Sequence, residues 1–292
     1  MRNKLLSLVL LLQLGVFVFI NPTVKSKLKY NINIYKDSNL NNIKLENYVI
    51  GVVAAEMPAS FSFEALKAQA VAARTFAYKK IINNDINYDD LKSDKGQSYI
   101  SVEEMKNKWK NDFDKNYDIV SNAVLSTKGE ILTFNNSPIN AYYFSLSNGK
   151  TENSSYVFGE KSYLVSVDSS WDVNNKGFIN ISKVDNNEFK SKLGITDDQI
   201  IIGDINRNET NHVNSIVINN KSFSGIDVRK IFNLRSTDFD IRINNNDIEF
   251  TTRGYGHGVG MSQYGANSLA TEGKKYDEIL KYYYNGVSID KI

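Results

Sequence analysis

The sequence lacks cysteine altogether and contains only two histidines, His212 and His257. Without thiols, no disulfide framework, thiolate metal site or cysteine nucleophile can form. Two imidazoles also leave a catalytic zinc ion short of nitrogen ligands. We therefore predict a protein that uses no metal and no cofactor.

The sequence also lacks a strong net charge. Its 35 Lys and Arg residues are balanced by 33 Asp and Glu residues, and no long basic block occurs. Nucleic-acid-binding domains usually carry such a block, so we expect no nucleic acid as a partner. With 292 residues, 41% of them hydrophobic, the chain is long enough for one large domain or for two lobes.

An uncharged segment near the N-terminus predicts a membrane-associated protein. Arg2 and Lys4 precede residues 5–20, a run of 16 residues without a charge that spans about 24 Å as a helix. The hydrocarbon core of a bilayer is roughly 30 Å thick, so this run is slightly short. No small-x-small cleavage site follows, which favours an uncleaved anchor in residues 1–24 over a cleaved signal peptide. In both cases we expect the rest of the chain outside the cytoplasm.

Hydrophobic periodicity predicts an α+β fold in which a pair of helices packs with β-strands. Apolar residues alternate with period two over residues 28–36, which predicts a strand, and a polar turn is predicted at residues 39–42. From Leu45 the period becomes helical. This helix is predicted to end at Glu56, because Met57-Pro58 disfavours its continuation.

The remaining pattern predicts one extracytoplasmic domain over residues 28–292, with a possible second, smaller lobe at about 178–250. A second helix over residues 62–82 has Ser62 as its N-cap. The other predicted elements are a helix at Val102–Trp109, strands and turns over 119–170, short strands and two short helices over 178–250, a glycine-rich loop at 254–260, and two helices around 263–271 and 276–284.

Glu56 is the most informative residue in the sequence. It continues an apolar helical stripe at the position after Val52 and Val53. A carboxyl group on such a stripe should lose its water, which raises its pKa toward the value that a general acid needs. The alternative is a structural glutamate that accepts backbone hydrogen bonds or pairs with an arginine. Arg74 has mostly apolar helical neighbours and needs an anion, either Glu56 or a substrate group.

A glycine-rich segment, residues 254–265, is the second candidate site. Its alternate glycines remove Cβ atoms, so that a ligand or another part of the backbone can come close. The spacing fits neither a phosphate loop nor the dinucleotide fingerprint. His257, Gln263 and Tyr264 suit ligands rich in hydroxyl and amide groups, such as sugars, although a purely structural corner is the alternative. Ser262 beside His257 raises the possibility of Ser-His-Asp catalysis, but no Gly-x-Ser-x-Gly motif occurs.

Three segments, residues 52–61, 64–75 and 254–266, closely resemble the stage II sporulation protein D family. The resemblance covers roughly residues 28–290. It implies a lytic transglycosylase that cuts peptidoglycan glycan strands during forespore engulfment, with Glu56 as the acid/base. It also implies that Arg74 belongs to the active cleft, and we predict that His257, Ser262, Gln263 and Tyr264 bind substrate with it.

The family resemblance further implies a location and partners. It predicts a single-pass protein of the mother-cell membrane that acts with stage II sporulation protein P, an amidase/endopeptidase, and with stage II sporulation protein M. Two alternatives within the family remain, a non-catalytic amidase enhancer and a glycan hydrolase. Phe144 stands where many members have histidine, and some members bind zinc through His and Cys in this loop. We therefore predict that this chain lacks the zinc site.

Overall fold

The computed structural model describes residues 31–36, 39–83 and 96–292, and it confirms the α+β class. The predicted anchor in residues 1–24 lies outside the described residues. Within the described ranges, no helix is both long enough and apolar enough to cross a bilayer.

Eight α-helices and thirteen strands form the described part of the chain. The helices are α1 (Leu45–Glu56), α2 (Phe63–Ile82), α3 (Val102–Trp109), α4 (Phe113–Ser126), α5 (Asn186–Leu193), α6 (Gly225–Ile231), α7 (Gln263–Thr271) and α8 (Tyr276–Tyr283). The strands are β1 (Asn31–Lys36), β2 (Asn39–Lys44), β3 (Glu130–Phe134), β4 (Ser137–Pro138), β5 (Tyr143–Phe144), β6 (Ile179–Asp185), β7 (Ile202–Arg207), β8 (Val213–Ile218), β9 (Lys221–Ser224), β10 (Phe239–Ile243), β11 (Asp247–Arg253), β12 (Met261–Ser262) and β13 (Ser288–Lys291).

The strands form small sheets rather than one continuous layer. The sheets have the orders β1-β2, β13-β3-β4, β5-β12, β10-β11-β6 and β7-β8-β9. All the pairs are antiparallel except β5 with β12, which is parallel.

Helices α1 and α2 form the centre of the larger hydrophobic core. The predicted stripe of α1 is buried, but so are Ile50, Gly51 and Ala54 on its other sides. Helix α2 is buried along an alanine-rich run and contacts α1, α4, α7, α8 and β3. The small alanine side chains let these neighbours approach closely on several sides. The C-terminal end of α1 therefore has a fixed place at the edge of this core.

Two predicted elements are wrong. Residues 39–42 are not a turn but part of β2, which pairs with β1 from Lys36 opposite Asn39 onward. Pairing with a neighbouring strand has overridden the turn preference of asparagine. Residues 119–126 are not strand but the second half of α4, in which Val120, Ala123 and Val124 are buried at helical spacing.

A second hydrophobic cluster lies between residues 184 and 250, where a smaller lobe was predicted. Helices α5 and α6 pack here with the β10-β11-β6 and β7-β8-β9 sheets. Four phenylalanines pack together in its centre, namely Phe189, Phe232, Phe239 and Phe250. The ring centroid of Phe232 lies 5.0 Å from that of Phe189 and 5.2 Å from that of Phe250. The domain boundary itself stays a prediction.

The glycine-rich segment turns the chain from β11 toward α7. Gly260 has φ +82°, and a Cβ atom there would lie 2.0 Å from the Tyr142 carbonyl oxygen. Only glycine permits this contact, which brings β12 beside β5. As a result α7 begins next to the C-terminal end of α1.

Candidate active site

A cleft of about 660 Å³ opens at the C-terminal end of α1. Three distant stretches of the sequence line it, with Ser145 between them. The lining residues are Ala55, Glu56, Met57, Pro58, Ala59, Ser60, Phe61, Lys108, Trp109, Asp112, Lys115, Asn116, Ser145, Gln263 and Tyr264.

Glu56 lies in this cleft as the last residue of α1. Its Oε1 atom accepts a hydrogen bond of 2.8 Å from the Ser98 backbone amide. Burial raises the pKa of Glu56 above its ordinary value, whereas hydrogen bonds from Ser98 and Gln263 and the charge of Lys108 act in the opposite direction. A raised pKa favours the protonated form of the carboxyl group, which is the form that a general acid needs.

Lys108 closes the end of α1. Its Nζ atom donates to the carbonyl oxygen of Ala54 at 2.8 Å, one of the carbonyls that a helix end leaves without a backbone partner. Burial lowers the pKa of Lys108, and the nearby Glu56 opposes that shift. Lys108 thus fixes the helix end and places a positive charge near the carboxyl group.

The structure brings Gln263 and Tyr264 to the cleft. Gln263 is buried and reaches Glu56 through its side chain. The backbone amide of Tyr264 donates to the Ser145 carbonyl oxygen at 3.1 Å, and its ring meets Phe61 edge-on at 5.0 Å. Trp109 adds a third aromatic side chain to the lining. Amide groups and aromatic faces together are suited to a sugar chain.

Ser262 does not line the cleft, and its predicted role in substrate binding stays a prediction. The side chain is fully buried and caps the N-terminus of α7 by accepting from the Gly265 amide at 3.2 Å. Its hydroxyl donates to Asp172 Oδ2 at 2.6 Å. Ser262 holds the start of α7, and thereby Gln263, in place.

His257 also lies away from the cleft. Its ring packs against Tyr142, Phe144 and Phe158, and its Nδ1 atom accepts from the Val259 amide at 3.1 Å. Burial, and secondarily the charge of Arg229, lowers the pKa of His257 to about 4, so the ring is neutral at physiological pH. Its surroundings give it a structural role, and the predicted substrate contact stays a prediction.

Phe144 occupies the loop position in which a histidine was expected from the family pattern. It is buried beside His257, and Gly256 packs so closely that a Cβ there would lie 2.6 Å from the Cβ of Phe144. Across residues 31–36, 39–83 and 96–292, no group of three histidine, aspartate or glutamate side chains is placed to hold a metal ion. The predicted loss of the zinc site stays a prediction.

Arg74 likewise does not line the cleft, and its predicted role in substrate binding stays a prediction. Its side chain is fully buried and forms an ion pair with Glu46, with 2.7 Å between Nη2 and Oε2. The other guanidinium hydrogens reach the carbonyl oxygens of Val124 and Glu130 at 3.0 and 3.1 Å. Glu46 lies ten residues before Glu56, about 15 Å along α1. The anion that Arg74 needs is therefore Glu46.

Several residues of the site carry no recognisable signal in the sequence. Ser98 lies in a polar stretch without a clear period, so no pattern singles it out. Lys108 and Trp109 end a predicted helix, but nothing in the sequence shows which face of that helix meets α1. Asp112 brings a second carboxyl group to the cleft lining, and it is exposed. Because most glycosidases use two carboxyl groups, Asp112 bears on the choice between a glycan hydrolase and a transglycosylase.

The fold and the site define an α+β protein whose cleft carries a partly buried carboxyl group at a helix end. The SpoIID family profile, described as "Stage II sporulation protein", matches residues 35–134. The chain belongs to the stage II sporulation protein D family, which is named for a role in sporulation.

Relatives with that name match most of the chain. It is 44% identical over 275 residues to stage II sporulation protein D of Bacillus subtilis, which covers 89% of this chain and 79% of the relative. It is 43% identical to the protein of the same name from Bacillus amyloliquefaciens, over 92% of this chain and 81% of the relative. It is also 28% identical to a B. subtilis protein named amidase enhancer, over 82% of this chain and 40% of that protein.

Proposed function

We propose that this protein is a lytic transglycosylase that cleaves MurNAc–GlcNAc linkages in peptidoglycan glycan strands during sporulation. Glu56 first donates its proton to the oxygen of the glycosidic bond, so that the GlcNAc leaves as an alcohol. It then takes the proton of the MurNAc C6 hydroxyl, whose oxygen attacks C1 of the same sugar. The product ends in a 1,6-anhydro sugar, and no water is consumed.

The observation that carries the proposal is the environment of Glu56 in the cleft. Most glycosidases use two carboxyl groups, one as acid and one as base or nucleophile. A transglycosylase can use one group for both steps, provided that its pKa lies near the working pH. Burial raises the pKa of Glu56, while Ser98, Gln263 and Lys108 limit the rise. Such opposing effects suit a group that must both give up a proton and accept one.

We further propose the cellular setting. The enzyme is attached to the mother-cell membrane through its N-terminal segment and works outside the cytoplasm. It acts beside stage II sporulation proteins P and M. These features rest on the resemblance to the family and on the uncharged run at residues 5–20.

The test is Glu56→Gln, assayed on purified glycan strands without stem peptides, in ¹⁸O-labelled water, with the products identified by mass spectrometry. The wild type should give anhydro ends without label. The variant should fold normally and lose about 10²–10⁴-fold in rate, because an amide can neither deliver nor accept the proton. Glu103→Gln is the matched control, since Glu103 is exposed on the neighbouring α3 and does not line the cleft. A Glu56→Gln variant that cleaves at the wild-type rate would rule out this mechanism.

Two other functions have observations in their favour. The exposed Asp112 in the cleft lining is a possible second carboxyl group for a glycan hydrolase. In that case Asp112→Asn should abolish cleavage, and the wild type should give ¹⁸O-labelled reducing ends. The similarity to a protein named amidase enhancer suggests a non-catalytic modifier. That function requires that the purified chain cleaves no glycan and accelerates a peptidoglycan amidase.

A further inference from the structure

Residues 97–100 lie directly across the middle of α1. The Ile100 amide donates to the Gly51 carbonyl oxygen at 3.3 Å, and the Tyr99 ring stacks on Tyr48 at 5.5 Å with 7° between the planes. A Cβ on Gly51 would lie 2.2 Å from the Tyr99 ring and 2.7 Å from the Ile100 carbonyl oxygen. Glycine inside a helix costs about 1 kcal/mol relative to alanine. The close approach of this segment is the structural reason for glycine here.

Gln97 fixes the other end of the segment. Its side chain is buried, and its Oε1 atom accepts a hydrogen bond of 2.7 Å from the Tyr143 hydroxyl. Its Nε2 atom donates to the Ala73 carbonyl oxygen in α2 at 3.3 Å. Tyr143 belongs to β5, the strand beside β12, which leads directly to Gln263. Gln97 therefore links the segment to α2 and to β5.

Ser98 lies between these two attachments. Its side chain is exposed, but its backbone is held by Gln97 on one side and by Tyr99 and Ile100 on the other. Its amide donates to Glu56 Oε1 at 2.8 Å. A backbone amide held in this way is a fixed dipole, which fixes the orientation of the carboxyl group and favours its ionised form.

We propose that residues 97–100 form a clamp that positions Glu56 for its acid and base steps, with Gln97 and Tyr143 as positioning residues and the Ser98 amide as the contact. This inference rests on the proposed function. The clamp holds Glu56 in position without contacting a substrate, since neither the Gln97 nor the Tyr143 side chain lines the cleft. It also affects the pKa of Glu56. The Ser98 hydrogen bond lowers this pKa, so its loss would let burial raise the pKa further.

The clamp gives a pH signature that a purely structural role would not. The first step needs protonated Glu56, so activity falls as the pH rises through the pKa of that group. A loosened clamp raises this pKa, and the alkaline limb of the kcat profile should move to higher pH. At the same time kcat at the optimum pH should fall about 10- to 100-fold, because the carboxyl group is no longer held in the orientation that the reaction needs.

Two variants test the clamp from opposite sides. Tyr143→Phe removes the hydroxyl that holds Gln97 and keeps the ring. Gly51→Ala improves the intrinsic helix propensity of α1 but forces Tyr99 and the backbone of the segment outward. Both should show the lower kcat and the shifted limb.

The matched control is Tyr284→Phe. It removes another buried tyrosine hydroxyl that forms a 2.7 Å hydrogen bond, here to the Tyr142 carbonyl oxygen and not to the clamp. It should reduce stability without moving the pH profile. Combining Tyr143→Phe with Gln97→Leu should lower kcat no more than the larger single effect, because both changes break the same link.

A ¹³C NMR titration of the Glu56 carboxyl group separates failure of the clamp from failure of the proposed function. If Tyr143→Phe and Gly51→Ala raise the pKa of Glu56, the clamp exists whatever reaction the protein catalyses. If both variants leave the pKa and the pH profile unchanged while stability falls, residues 97–100 are only structural and the inference is overturned. If the wild type forms no anhydro product, the proposed function fails, and the titration still decides the clamp.

Discussion

Arg74→Ala should unfold the protein at a much lower temperature without disabling the cleft. Arg74 is fully buried, and its guanidinium group joins Glu46 of α1 to the carbonyl oxygens of Val124 and Glu130. Its removal takes away the cation that pairs with Glu46, whose carboxylate keeps the Gly129 amide, and removes one donor from each of the two carbonyl oxygens. Breaking such a buried pair typically costs about 3–5 kcal/mol. At roughly 2–4 °C per kcal/mol for a domain of this size, Tm should fall by about 6–20 °C.

Thermal unfolding followed by circular dichroism measures the loss, and kcat of the folded protein is measured well below the new Tm. Arg74→Lys should recover only part of the stability, because an ammonium group cannot reproduce the planar, forked donor geometry. Arg242→Ala at an exposed position is the control and should change stability by less than about 0.5 kcal/mol. An Arg74→Ala protein with unchanged Tm and a greatly reduced kcat would refute the structural role of Arg74 and would favour a role in substrate binding.

Three further predictions concern stability and metal content. Because the pKa of Glu56 is raised in the folded state, the contribution of this group to stability is fully present below its ordinary pKa of 4.5 and is lost as the pH rises through the raised pKa. Glu56→Gln should lack this loss. Urea unfolding should therefore show that the variant is at least as stable as the wild type at pH 7, and that the two proteins have the same free energy of unfolding at pH 4. Gly260→Ala should destabilise far more than Gly273→Ala, since both have positive φ but only Gly260 has an atom within 4 Å of the added Cβ; equal Tm losses would contradict this. Elemental analysis should find no stoichiometric zinc, and about one zinc per chain would contradict the interpretation of Phe144.

Local features of this fold follow from the sequence. Helix α1 ends at Glu56 as predicted, because the apolar period and the Met57-Pro58 break are both local signals. Helix α2 follows Ser62 as predicted, although the Ser62 hydroxyl faces Thr271 rather than capping the helix. Helix α3 matches its predicted bounds. The place of Glu56 at the end of an apolar stripe is a local signal as well.

The partners of the candidate residues depend on tertiary contacts and could not be predicted. The sequence showed that Arg74 needs an anion, but the choice of Glu46 depends on how α1 and α2 pack. Ser262 and His257 stand in a motif beside Gln263, yet the turn at Gly260 sends only the residues after Ser262 into the cleft. Ser98 comes to Glu56 from 42 positions further along the chain, without any periodic pattern around it.

The parallel pairing of β5 with β12 has a consequence for the order of events during folding. Gln263, which completes the surroundings of Glu56, reaches Gln69 across 194 positions of sequence. A chain that has formed only α1 and α2 presents Glu56 at an open helix end, where water sets the acidity of the carboxyl group. Gln263, whose hydrogen bond lowers the pKa of Glu56, takes its place only when α7 has docked. The native acidity of the Glu56 carboxyl group is therefore a property of the complete fold and not of α1 alone.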